Sequence, residues 1–166
     1  MADILPVVSL TLRCAVMALV LIAAWEDVRH MRIRNDISLA VVLLFVPMIF
    51  LLPFKLAGAH VIVAVVFLAA GAAMFFARLI GGGDAKLIAA LGLWPQLTQI
   101  GSFLLIMTVC GGILALAGIG LKRATFTKNI AEKMPVDGWI PALARGETVV
   151  PYGVAIAVAC AATLFR

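Results

Sequence analysis

Six apolar runs separated by short polar stretches constrain the fold of this chain more than any other feature. They cover residues 4–25, 37–53, 60–80, 85–97, 100–121 and 149–165. The chain is 65% hydrophobic and 13% charged, whereas a soluble domain is roughly 45–50% apolar and about 25% charged. A chain of 166 residues has no core large enough to bury this excess, so the surrounding solvent must be lipid. The sequence therefore predicts one all-α membrane domain over residues 1–166, with six transmembrane helices.

The fourth run is short for a span, because crossing the hydrocarbon core takes about 20 residues. It could cross by including the polar stretch 98–102, or it could be a re-entrant element that lines a cavity. The distribution of Lys and Arg favours a span. With six spans, ten of the 13 basic residues fall in or beside loops 26–36, 81–86 and 122–148, and two fall on the opposite side. The positive-inside rule then places these loops in the cytoplasm and both termini outside it.

Asp84 stands in the segment Gly81-Gly82-Gly83-Asp84-Ala85-Lys86, between two apolar runs. An ionisable residue at such a position is a candidate for function by default. Glycines leave the backbone free and accessible, so an unwound substrate strand could lie against residues 81–83. The alternative interpretation is a glycine turn whose Asp caps the next helix.

A second acid, Asp27, follows the first apolar run and shares the predicted cytoplasmic face with Asp84. Glu26 and Asp36 lie on the same side. Residues 26 and 27 point about 100° apart on a helix, so only one of them can face the bundle interior. Physical reasoning does not separate these two, whereas Asn35 or Asp36 fits the N-cap of the second span.

Two close carboxylates can share a proton, with one member acting as a base on water while the other polarises a carbonyl. This chemistry requires no metal or cofactor.

His30 and His60 fall on opposite sides in the predicted topology and cannot form a common zinc site. The three cysteines include no C-x-x-C pair. The net charge of +5 is scattered among loops, which does not indicate nucleic-acid binding.

Two further features have alternative interpretations. Lys86 could reach anionic lipid headgroups or could tune the pKa of Asp84. The polar stretch 122–148 could be a simple connector, or a piece on the membrane surface that is anchored by Trp139 and acts as a lid.

Three motifs together resemble the type IV prepilin peptidase family. Gly81-Gly82-Gly83-Asp84-Ala85-Lys86-Leu87 is similar to its G-x-G-D-x-K-L motif. Trp25-Glu26-Asp27 followed by Ile33-Arg34-Asn35 resembles the segment of its first aspartate, with Arg34 where the family often has Pro. Pro151-Tyr152-Gly153, followed by Ala155-Ile156-Ala157, resembles the opening of its last span.

The resemblance implies that Asp27 and Asp84 are the catalytic pair and that residues 81–83 and Lys86 shape the site. It implies cleavage of the basic leader of prepilins and pseudopilins after a Gly, at the cytoplasmic face of a bacterial inner membrane. The short chain is similar to the form found in tight-adherence and Flp pilus systems. Expected partners are these substrates, membrane lipid and the pilus assembly machinery. The alternative function is a small proton-coupled transporter or channel that uses the two aspartates as relay groups.

Overall fold

A computed structural model describes residues 4–121, 138–145, 147 and 149–165, and these residues are all helical or in short connections. The elements, numbered in chain order, are α1 (Ile4–His30), α2 (Asn35–Leu51), α3 (Phe54–Phe76), α4 (Gly82–Leu91), a 3₁₀ turn (Leu97–Gln99), α5 (Ile100–Leu121), α6 (Trp139–Ala144) and α7 (Tyr152–Thr163).

The outer surface of the helix bundle is apolar. Phe50, Phe54, Phe76 and Leu116 are 83%, 91%, 81% and 72% exposed, which is incompatible with a water-facing surface of this size. Among the described residues, three helical stretches are long and apolar enough to cross a membrane, namely Pro6–His30, Phe54–Phe76 and Leu97–Leu121. The prediction of an all-α polytopic membrane protein is confirmed.

The remaining apolar runs form shorter helices. At about 1.5 Å per residue, α2 is roughly 25 Å long, α7 roughly 18 Å and α4 only roughly 15 Å. The hydrocarbon core is about 30 Å thick, so α4 covers half of it. The helix boundaries also differ from those predicted. Because no helix breaker follows Trp25, α1 continues to His30, so Asp27 lies on a helix and not in a loop. The predicted loop 81–86 contributes the first turn of α4.

The short helix α4 lies at the centre of the molecule, packed against α2, α3 and α7. Residues 87–91 are all buried, as expected for a helix that is apolar on every side. Small residues allow the close approach of α3 and α4: a Cβ atom on Gly71 would lie 3.0 Å from that of Ala85. The indole N–H of Trp94 donates to the carbonyl of Val41 over 3.2 Å and fixes the far end of this helix to α2.

On the other side of the molecule, α7 packs against α1 and α5. A Cβ atom on Gly111 would lie 2.9 Å from the ring of Tyr152, so α5 and α7 also meet through a glycine. Because successive helices alternate in direction, the end of α1 and the starts of α4 and α7 lie at one end of the bundle. This end holds both candidate aspartates.

Candidate active site

Asp27 lies near the end of α1 and is only 5% exposed. Its Oδ2 atom accepts a hydrogen bond of 2.8 Å from the backbone N–H of Gly153. Gly153 is the second residue of α7, and the N–H groups of a first helical turn have no partner within the helix. The N-terminus of α7 therefore supplies a donor and a favourable dipole to this carboxyl.

Asp84 is the third residue of α4, outside the three membrane-spanning stretches. Its Oδ2 atom accepts a hydrogen bond of 3.2 Å from the backbone N–H of Gly81, which is the residue before the helix. Since Gly81 has no side chain to return a bond, this is one half of a capping box. The other oxygen, Oδ1, is buried and has no hydrogen-bond partner among the residues that the structure describes. The capping interpretation thus accounts for one oxygen of Asp84 and leaves the other free for chemistry.

The two aspartates line the same two cavities. The first cavity, of about 460 Å³, extends past Arg78, Leu79, Val149 and Tyr152. The second, of about 320 Å³, extends the other way, past Ile33, Asn35, residues 81–83 and Lys86. Burial, and secondarily the nearby Asp27 charge, raise the pKa of Asp84 to about 7. A carboxyl group with this pKa is half protonated at neutral pH, which suits general acid catalysis.

The three glycines have different surroundings. Gly81 is extended, with φ −70° and ψ 147°, while Gly82 and Gly83 are helical. A Cβ atom on Gly83 would lie 2.7 Å from the carbonyl oxygen of Ile33, and one on Gly82 would lie 3.2 Å from the ring of Phe75. A Cβ atom on Gly81 would lie 2.7 Å from Oδ2 of Asp84. Residues 82 and 83 therefore pack against protein, and Gly81 alone of the three faces the Asp84 carboxyl.

Lys86 is hydrogen-bonded across the bundle. Its Nζ atom donates to Oδ1 of Asn35 over 2.9 Å, which ties α4 to the start of α2. A role of Lys86 at lipid headgroups or toward Asp84 stays a prediction. The prediction that Asn35 or Asp36 is the N-cap of α2 is wrong, since Arg34 occupies that position without a side-chain cap. Asp36, in the first turn of α2, accepts a bond from the N–H of Ile37 and pairs with Arg34 at 2.5 Å.

The structure shows which of Glu26 and Asp27 faces the bundle interior. Glu26 lies 3.6 Å from the guanidinium of Arg34, whereas Asp27 lines both cavities beside Asp84. Asp27 faces the bundle interior and Glu26 faces the charged residues around Arg34, as their 100° separation on the helix requires.

Sequence reasoning gave no role to four residues that surround the aspartates: Tyr152, Gly153, Met31 and Arg78. The Pro151-Tyr152-Gly153 motif was visible in the sequence and could have suggested the first two. Met31 and Arg78 adopt positive φ angles of 50° and 60°. Such angles are uncommon outside glycine, so no sequence signal points to them.

Arg78 completes a defined helix ending. The N–H of Leu79 donates to the carbonyl of Met74, and that of Arg78 donates to Phe75, which is the Schellman pattern that usually places glycine at this position. The chain turns sharply there and delivers Leu79 and Gly81 to the first cavity.

Trp139 anchors its segment to protein. Its indole N–H donates to the carbonyl of Val149 over 2.9 Å, and Leu143 in the same short helix is 1% exposed. Residues 139–144 are thus held against protein, and their position relative to the membrane surface stays a prediction. The rest of the proposed lid, residues 122–137, lies outside the described residues.

Within the part of the chain that the structure describes, no group of three or more His, Cys, Asp or Glu side chains could hold a metal ion.

Comparison with known proteins gives one match. The model of the type IV leader peptidase family matches residues 14–116, which include both aspartates and all three glycines and leave α7 outside. No curated protein and no solved structure matches the chain. Since the matched residues make up more than half of the chain, this membrane protein belongs to the type IV leader peptidase family and is a protease.

Proposed function

We propose that Asp27 and Asp84 are the catalytic pair of an aspartyl endopeptidase that removes the basic leader from short Flp-type prepilins and pseudopilins. The observation that supports this most strongly is their placement. Two carboxyl groups from different helices are held by the backbone N–H groups of Gly153 and Gly81 and line the same cavities.

The surroundings of the two carboxyl groups favour different roles. Each carboxyl accepts one backbone N–H, over 2.8 Å at Asp27 and 3.2 Å at Asp84, and the shorter bond favours the carboxylate form at Asp27. Among the described residues, Oδ1 of Asp84 has no hydrogen-bond partner, and a pKa of about 7 keeps half of this carboxyl protonated at neutral pH. We therefore assign the proton of the pair to Asp84.

The reaction follows from that assignment. Asp27 removes a proton from water as the water oxygen bonds to the scissile carbonyl carbon. Asp84 donates its proton to the carbonyl oxygen. Collapse of the tetrahedral intermediate breaks the C–N bond as the proton held by Asp27 passes to the leaving amine. The hydroxyl that re-forms the carbonyl returns its proton to Asp84, which restores the starting state of the pair.

The location of the reaction follows from charge. Arg29, Arg32, Arg34, Arg78 and Lys86 all lie near the end of the bundle that holds the aspartates, so this end faces the cytoplasm. The protein then lies in the inner membrane with both termini outside the cytoplasm, in contact with lipid and available to the pilus assembly machinery. Leaders would be cut after a Gly, where the substrate's apolar helix begins.

The test uses purified protein in liposomes and a synthetic prepilin with a basic leader, a Gly and an apolar helix. Asp27→Asn and Asp84→Asn should each abolish the leader-sized mobility shift, and the double variant should be no worse, because the two residues act as a unit. Glu26→Gln is the matched control and should retain activity. Normal cleavage by either Asn variant would refute the assignment.

A further inference from the structure

An apolar groove runs along the outside of the bundle between α2 and α3. Both helices pack on α4 and touch each other little, which leaves a channel of about 460 Å³ with α4 as its floor. Leu39, Val42 and Val46 form one wall, Val61 and Val65 form the other, and Ala89 belongs to the floor. The groove belongs to the lipid-facing surface, and its walls are mostly aliphatic, with Phe45 and Ser38 as exceptions on α2.

One end of this groove adjoins the cavity that contains the aspartates. Asn35 and Lys86 line the groove and also line the 320 Å³ cavity beside Asp27 and Asp84. These two side chains are hydrogen-bonded to each other, so they form a polar threshold between an apolar channel and the polar site. The groove therefore begins where the site ends, and only this one side-chain pair is shared between them.

The dimensions of the groove fit a helix. Its α2 wall extends from Asn35 to Ile49, which is roughly 21 Å, or about four helical turns. Small residues on the floor permit close approach of a helix backbone, and exposed aliphatic walls, such as Leu39 at 58% and Val65 at 59%, supply the complementary surface.

We propose that this groove binds the apolar helix that follows the scissile bond of the substrate. The proposal rests on the proposed function, because a leader peptidase must hold a chain that is extended at the cut and helical beyond it. With the helix in the groove, the scissile bond lies at the threshold beside the aspartates. The leader then extends into the other cavity, past Leu79 and Val149.

The experiment fills the groove and compares two substrates. Val42→Trp and Val65→Trp place an indole in the groove, while Leu43→Trp and Val66→Trp are controls at adjacent exposed positions, 58% and 56%, that do not line it. Each variant is assayed with the synthetic prepilin and with a soluble peptide that spans the cut but lacks the helix.

Loss of helix binding should lower kcat/KM for the long substrate about tenfold or more, mainly through KM. The short peptide should be cleaved within about twofold of wild type by all four variants, because it does not use the groove. Equal cleavage of the long substrate by groove and control variants would overturn the proposal.

A crosslinking experiment tests substrate binding in the groove independently of cleavage by the aspartates. In the Asp84→Asn background, a photoreactive residue at position 42 should crosslink to the long substrate, and one at position 43 should not. Crosslinks to lipid alone at both positions would refute the groove even if wild-type protein cleaves the substrate. Substrate crosslinks at position 42 of the Asp84→Asn variant, together with no cleavage of the same substrate by wild-type protein, would support the groove and refute the proposed function.

Discussion

Gly153→Ala tests the link between α7 and the proposed catalytic pair. A Cβ atom at this position would lie 3.0 Å from Cβ of Asp27, 3.1 Å from its Oδ2 and 3.2 Å from Cα of Ala24. All three contacts are with α1, whose backbone cannot yield easily. The helices must therefore separate by a few tenths of an ångström, and the 2.8 Å hydrogen bond from Gly153 to Asp27 lengthens or breaks.

The size of the effect follows from that bond. A hydrogen bond to a charged group contributes about 1.5–3 kcal/mol, and each 1.36 kcal/mol of lost transition-state stabilisation is tenfold in rate. If the carboxylate of Asp27 loses this donor, kcat/KM should fall by about 10- to 150-fold. Overpacking adds a cost in stability of about 1–3 kcal/mol.

The measurement is prepilin cleavage in liposomes together with thermal unfolding of the purified protein. Gly112→Ala is the matched control, because a Cβ atom there meets nothing within 4 Å; it should leave activity unchanged and should not lower stability. Wild-type kcat/KM in Gly153→Ala would refute the idea that this N–H supports catalysis. A loss of stability without a loss of activity would reduce Gly153 to a packing residue.

Three further predictions concern the site and its orientation. If Asp84, whose pKa is raised to about 7, acts in its protonated form as proposed, kcat/KM should fall about tenfold per pH unit above that value; a flat profile between about pH 6 and 9 would contradict its proposed role as the acid. Gly83→Ala should reduce stability by about 1–3 kcal/mol along with activity, since its Cβ would collide with a backbone carbonyl, whereas Gly101→Ala, with nothing within 4 Å, should do neither. Reporter fusions after Asn35 should read cytoplasmic and fusions near Gly58 external, and a cytoplasmic signal near Gly58 would refute the proposed topology.

Local composition and pattern were enough to predict the membrane class. A chain of this size can remove such long apolar runs from water only by placing them in lipid. Backbone groups in lipid must be hydrogen-bonded within helices, so the all-α bundle could be predicted directly. Asp84 was identifiable for the same reason, because an acid between two apolar runs is costly wherever it is placed. Residue pattern also placed Asp27 at the same end of the bundle, although it could not separate Asp27 from Glu26.

The length and burial of each helix depended on tertiary packing. The run at 85–97 is apolar enough to be lipid-facing, yet it forms a ten-residue helix buried at the centre of the bundle. Hydropathy measures the preference of a side chain for an apolar environment over water, and both the protein interior and lipid provide such an environment. A sequence window therefore cannot distinguish a central helix from an outer one.

The sequence by itself determined which residues could carry the chemistry, and only the tertiary structure decided what surrounds them. The chain places Gly153 126 residues after Asp27, and no local rule connects a glycine in one apolar run to an acid in another. The same holds for Lys86 and Asn35, which lie 51 residues apart. Hydrogen bonds and burial depend on distances across the bundle, and those distances are set by how the helices pack.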